Sequence, residues 1–140
     1  MDDGSQCSRE KGVQGILQHY TQQTDPAPLI LIGDLNVAED NPVIAYLSGR
    51  SQSLGETPAP LVDSFRALYP DATRVGTYNG FAGKRSGAKI DYIFASPELQ
   101  VRAAAIVRTE REGRYPSDHF PVTARLSYTA SAELNKPDGK

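Results

Sequence analysis

The chain has 140 residues, with 15 Lys+Arg against 17 Asp+Glu, two His, one Cys, one Met and no Trp. That length predicts one domain, and 39% hydrophobic with 23% charged residues excludes a disordered chain. A formal charge of −2 excludes a global attraction to polyanions, the lone Cys7 excludes a disulfide framework or a cysteine-built zinc site, and no apolar run approaches the ~20 residues that span a bilayer.

The start, Met1-Asp2-Asp3-Gly4-Ser5, is acidic and polar, unlike a secretory signal peptide, and leaves the compartment unassigned. Residues 1–7 are expected to be disordered or tag-like, 8–128 to form the domain, and 129–140 to be a flexible tail. Val13, Ile16, Leu17 and Tyr20 fall at i, i+3, i+4 and i+7, which predicts a helix over about 8–22 with Ser8 as its N-cap. Gly12 and Gly15 weaken it by about 1 kcal/mol each. The apolar run Leu29-Ile30-Leu31-Ile32, bounded by Pro28 and Gly33, predicts a strand buried on both faces. Asn41-Pro42 is a cap followed by a first-turn proline, opening a short helix through Val43, Ile44 and Leu47. Residues 49–60 are a Ser/Gln/Gly/Pro-rich loop, and a third helix is expected from Leu61 to Tyr69.

The second half changes period. Lys89 to Phe94 predicts a strand, as do the alternations Val101, Ala103, Ala105, Val107 and Phe120, Val122, Ala124, Leu126, separated by a polar loop over 109–118. The expected fold class is mixed α/β, with one mainly antiparallel sheet covered by helices on one face.

Polar groups gather beside strand ends, where open α/β sheets bind ligands. Gly33-Asp34-Leu35-Asn36 follows the first strand: Asp34 can orient a water or hold a cation and Asn36 can donate to a phosphate oxygen, unless both are merely turn residues. Asp91 interrupts an apolar strand, so it needs a partner: a turn, Lys89, or His119 from Ser117-Asp118-His119. An Asp91–His119 pair could manage protons or present a positive donor to phosphate. Thr77-Tyr78-Asn79-Gly80-Phe81 and Gly83-Lys84-Arg85-Ser86-Gly87 make a loop that is either a solvated hairpin or a substrate contact. Lys84, Arg85, Lys89, Arg111 and Arg114 could face one groove. No phosphate-binding Gly-rich Walker loop, zinc-protease helix or nucleophile elbow is present.

In this order Gly33-Asp34-Leu35-Asn36, Lys89-Ile90-Asp91-Tyr92-Ile93-Phe94 and Ser117-Asp118-His119 resemble the endonuclease/exonuclease/phosphatase family of magnesium-dependent hydrolases. The resemblance runs from about Ser8 to Leu126 and covers only the family's C-terminal half, equivalent to half of a four-layered α/β sandwich. It implies that Asp34 handles the attacking water, Asn36 binds the scissile phosphate, Asp91 and His119 form a carboxylate–imidazole pair, and Asp118 with Asp34 serves the metal. Tyr78, Asn79 and Lys89 are the expected substrate contacts. The implied cofactor is Mg²⁺, with Mn²⁺ as substitute, and the implied substrate a phosphoester of nucleic acid, a phospholipid head group or a sugar. The family's N-terminal half supplies an Asn, a Glu and a further His that have no counterpart here. Two functions follow: a phosphoesterase acting by in-line attack of water on phosphorus, or an incomplete half-domain that binds or dimerises. In either, the sheet face that normally meets the other half is expected to seek a second copy or an N-terminal half.

Overall fold

The computed structural model describes residues 3–129; the expected tail beyond them, and residues 1 and 2, lie outside the described part. Helix α1 spans Asp3–Thr21 and so begins well before Ser8, taking in most of the segment expected to lie outside the domain. Its early turns are tied down by Gln6, whose side-chain amide exchanges hydrogen bonds with Asn41 at 3.2 and 3.1 Å. Val13 and Leu17 enter the core, while Ile16, expected on the same stripe, stays exposed on the outer flank.

Strand β1 (Ile30–Asp34) leads to helix α2 (Pro42–Leu47), whose N-cap Asn41 accepts from the Val43 amide at 2.9 Å with Pro42 in the first turn. The expected third helix is shorter: Leu61 is buried but not helical, and β2 is only Val62–Asp63. Asp63 caps α3 (Ser64–Leu68) by accepting from the Phe65 and Arg66 amides, which moves the helix start three residues down the chain. Strands β3 (Asp91–Ala95), β4 (Leu99–Ile106) and β5 (Val122–Tyr128) complete the order.

The strands form two antiparallel ladders rather than one continuous sheet: β1-β3-β2 and β4-β5. In the first, β3 is central, and its Tyr92 and Phe94 rings stack at 5.4 Å toward α1 and α2, meeting Leu17, Ile44 and Leu47 in the core. The register pairs Ile30 with Ala95, Ile32 with Ile93 and Asp34 with Asp91, placing these side chains on the opposite face. The two-sided burial expected for β1 is corrected here. Leu31 packs on the core, whereas Ile30 is 46% and Ile32 65% exposed on a strand at the edge of its ladder, beside the buried Ile93 and Ala95 of central β3.

In the second ladder a register shift between Val101 and Ala103 leaves Arg102 as an extra residue. The bulge turns Ala104 inward and leaves Ala103 and Ala105 exposed, reversing the phase expected for them. The loop before β5 is itself a hairpin: Arg111 and Arg114 exchange backbone hydrogen bonds around Glu112 (φ 53°) and Gly113 (φ 74°), the left-handed pair that a two-residue turn requires. Among the described residues no helix is long and apolar enough to cross a membrane.

Candidate active site

Asp34 and Asp91 end one ladder row and sit directly opposite each other on β1 and β3. Two like charges in that position repel, so the pair requires a positive neighbour. His119 supplies it, with Nδ1 2.9 Å from Asp91 Oδ2. An ionised carboxylate can only accept, so Nδ1 carries the hydrogen and Nε2 is left to face solvent. The hydrogen bond to Asp91 raises the imidazole's proton affinity above the usual value of 6.5; partial burial opposes this, and the charges of Asp91, Asp34 and Asp118 add to it.

The backbone around this pair is held by buried contacts. Thr77 is fully buried, and its hydroxyl oxygen accepts from the amides of Ile90 and Asp91 at 3.0 and 3.2 Å. The Leu35 amide donates to the Ile90 carbonyl, extending the ladder past Asp34. Asn36 takes a left-handed φ of 52°, which Asn tolerates, and its amide and Nδ2 donate to the two oxygens of Asp34 at 2.8 and 3.2 Å. This turn aims carboxylate and carboxamide the same way and leaves one Nδ2 hydrogen for a ligand.

The 77–81 loop is bound to the His119 segment. Tyr78 pairs with His119 through the backbone, and their rings meet edge to face at 5.3 Å. The Asn79 and Gly80 amides both donate to the Asp118 carbonyl. Tyr78, 53% exposed, lines a cleft of about 420 Å³ with Asn36, His119, Lys84 and Ile90.

Asn79 and Lys89, expected to contact substrate, are corrected by their burial. Asn79 is 2% exposed; its Nδ2 donates to the Ser117 carbonyl and its Oδ1 accepts from the Phe81 amide, so both ends are occupied. Lys89 is 1% exposed, 2.7 Å from Asp63 and 3.8 Å from Glu39, with its ammonium 3.4 Å above the centre of the Tyr92 ring. Burial pulls its proton affinity below the usual lysine range, and the Asp63 and Glu39 charges only partly restore it. Arg66 closes the network with a two-pronged contact to Glu39 at 2.7 Å for each oxygen. Lys89 therefore braces the strand that carries Asp91. Arg111 and Arg114 line a separate groove with Glu110 and Glu112 between them.

Thr77, Glu39 and Arg66 are the supporting residues that motif reading misses. Their partners lie 13 to 27 positions away, and no local pattern marks them.

Asp34, Asp91 and His119 each offer one ligand atom, all within 4.8 Å of one another, and Asp118 lies outside this group. Hard carboxylate oxygens suit a divalent cation that keeps most of its waters, and so this donor set fits magnesium or manganese. Asp91 is already committed to His119, which leaves the remaining lone pairs of Asp34 for such an ion.

Residues 12–119 match the sequence profile of the Endonuclease/Exonuclease/phosphatase family. The chain belongs to that family. A DNA repair nuclease of Danio rerio, APEX1, is 32% identical over 116 residues, covering 71% of this chain and 36% of the relative. A Bacteroides thetaiotaomicron mannosyl-6-phosphatase superposes with a TM-score of 0.64 at 25% identity, over 91% of this chain and 48% of that one. A second family protein from the same species gives a TM-score of 0.70 at 23% identity, over 90% and 46%. The chain thus spans about a third of the curated relative and about half of these solved family members, with the endonuclease/exonuclease/phosphatase fold.

Proposed function

We propose that this chain carries the phosphate-handling half of a divalent-cation-dependent phosphoesterase. The supporting observation is the Asp91–His119 pair at 2.9 Å with Asp34 opposite it across the ladder. Asp34 orients the attacking water and takes its proton. Asn36 Nδ2 donates to one non-bridging phosphate oxygen, and the imidazolium Nε2–H of His119 donates to another, countering the charge that grows during in-line attack. Asp91 fixes the imidazole's tautomer and stabilises its charged form. A magnesium or manganese ion held by Asp34 and Asp118 would supply further neutralisation of the phosphoryl oxygens. The test is hydrolysis of a phosphodiester and phosphomonoester panel with Mg²⁺ or Mn²⁺. Asp34→Ala and His119→Ala should each lower the rate by at least about 10²-fold. Equal rates for wild type and both variants would sink the reading.

The uncovered face of β1 favours a second reading, in which the chain binds its complement and turns over only in the assembly. Exposed Ile30, Ile32 and Val62 lie on one side of the ladder, and the matched family structures are about twice this length. On this reading an N-terminal half, or a second copy, covers that side. Activity absent from the folded chain and restored by adding a separately produced N-terminal half supports it; full activity from a monomer removes it.

A further inference from the structure

Beyond the cleft the structure carries a charged patch that the catalytic reading does not use. Arg74 and Arg85 stand on paired segments, joined where the Gly76 amide donates to the Arg85 carbonyl at 3.2 Å. Arg108 reaches the same place from the end of β4: its guanidinium donates to the Arg74 carbonyl and lies 5.4 Å from the Phe120 ring centre. None of the three forms an ion pair among the described residues. Burial and then the charges of Arg85 and Arg74 hold Arg108 below the usual guanidinium range, as expected for cations crowded without an acid between them. The Arg111–Arg114 hairpin differs in this respect, because Glu110 and Glu112 are interleaved there.

The patch connects to the cleft along the chain. Arg85 lies between Lys84 and Ser86, both of which line it. A second feature lies on the loop that supplies Tyr78 to the cleft. Phe81 is 60% exposed with a φ of 61°, a strained conformation for a bulky residue, imposed by the Asn79 side chain that accepts from its amide. The turn thus presents an aromatic face to solvent near exposed Tyr78, on backbone anchored to Asp118. Cations that follow a chain of phosphates, beside rings on which unstacked bases can lie, are the chemistry of single-stranded nucleic acid recognition. A lone sugar phosphate has no second phosphate for the arginines and no π-face for the rings.

We propose that Arg74, Arg85 and Arg108 form a second phosphate station beside the cleft and that, with Tyr78 and Phe81, they commit the site to a single-stranded nucleic acid chain. This rests on the phosphoesterase reading for its purpose but not for its test. Binding of a short fluorescent oligothymidylate is measured in EDTA, where no turnover is needed, across a salt series. Arg85→Gln and Arg108→Gln should each reduce the slope of log affinity against log salt by about 0.7, and Arg102→Gln on β4 should not change it. Phe81→Ala should weaken the oligonucleotide about tenfold while leaving inorganic polyphosphate unaffected. A slope unchanged in both arginine variants, with melting temperatures like wild type, overturns the proposal. So does loss of binding to phosphatidylserine vesicles with oligonucleotide binding intact. A chain that binds in this arginine-dependent manner yet hydrolyses nothing, alone or with an N-terminal half added, removes the phosphoesterase reading and leaves the binding site. One that hydrolyses nucleic acid without arginine dependence does the reverse.

Discussion

Asp34 and Asp91 repel across the ladder, so the proton on His119 is part of the fold as well as of the chemistry. An NMR titration should place the His119 midpoint above 6.5, and Asp91→Asn should move it down by replacing the charged carboxylate acceptor with a neutral amide. Folded His119 holds its proton more tightly than the unfolded chain does. The pairing therefore stabilises fully below about pH 6.5 and is lost as pH rises through the folded midpoint. The melting-temperature advantage of wild type over His119→Gln should accordingly be greatest in mild acid and shrink as pH rises through that window. Asp34, Asn36, Asp91 and His119 were legible in the sequence because polar groups at apolar strand ends need a reason. Asn79 and Lys89 misled for a physical reason: a polar side chain in a loop looks the same whether it serves a ligand, a backbone carbonyl or a buried ion pair.

The elements around the site depend on the buried network that joins the loop after β1, α3 and the entry to β3. Removing one member of a buried pair leaves the other charge uncompensated. Lys89→Met should cost about 3–5 kcal/mol in a denaturant melt. The double change Lys89→Met with Asp63→Asn should recover most of it, because asparagine keeps the cap of α3 while removing the orphaned charge. In α1, by contrast, a Cβ added at Gly12 or Gly15 meets nothing within 4 Å, so each Gly→Ala change should stabilise by about 0.4–1 kcal/mol. Helix α2, with its Asn41 cap and first-turn proline, was readable at this scale. The start of α3 and the phase of β4 were not: the first depends on whether Val62 pairs with Ala95, and the second on a bulge that interrupts alternation without any glycine or proline to announce it.

For the whole molecule, the informative misreading is β1. Its four apolar residues ask for cover on both faces, and among the described residues it is Leu29 and Leu31 that pack against the core. Ile32→Lys should therefore change the stability of the isolated chain by no more than about 0.5 kcal/mol, while abolishing association through that face in sedimentation velocity. An association constant unaltered by the lysine would place the contact elsewhere. The mixed α/β class and the family were legible from the order of three short motifs, whereas the division into two ladders depends on pairings distant in the chain.

The facing of Asp34 and Asp91 is set by counting residues along β1, and this makes the gene's tolerance of length changes uneven. A one-codon deletion within Ile30–Asp34 would reverse the alternation on one side of the missing residue, either turning Leu31 outward or carrying Asp34 out of register with Asp91. Either core packing or the facing of the two carboxylates would fail, and no single substitution could restore the count. The same deletion in the 49–60 loop alters neither register. Variation in this protein should therefore accumulate as indels between the strands and as substitutions within them, a pattern that an indel scan scored for folding would read directly.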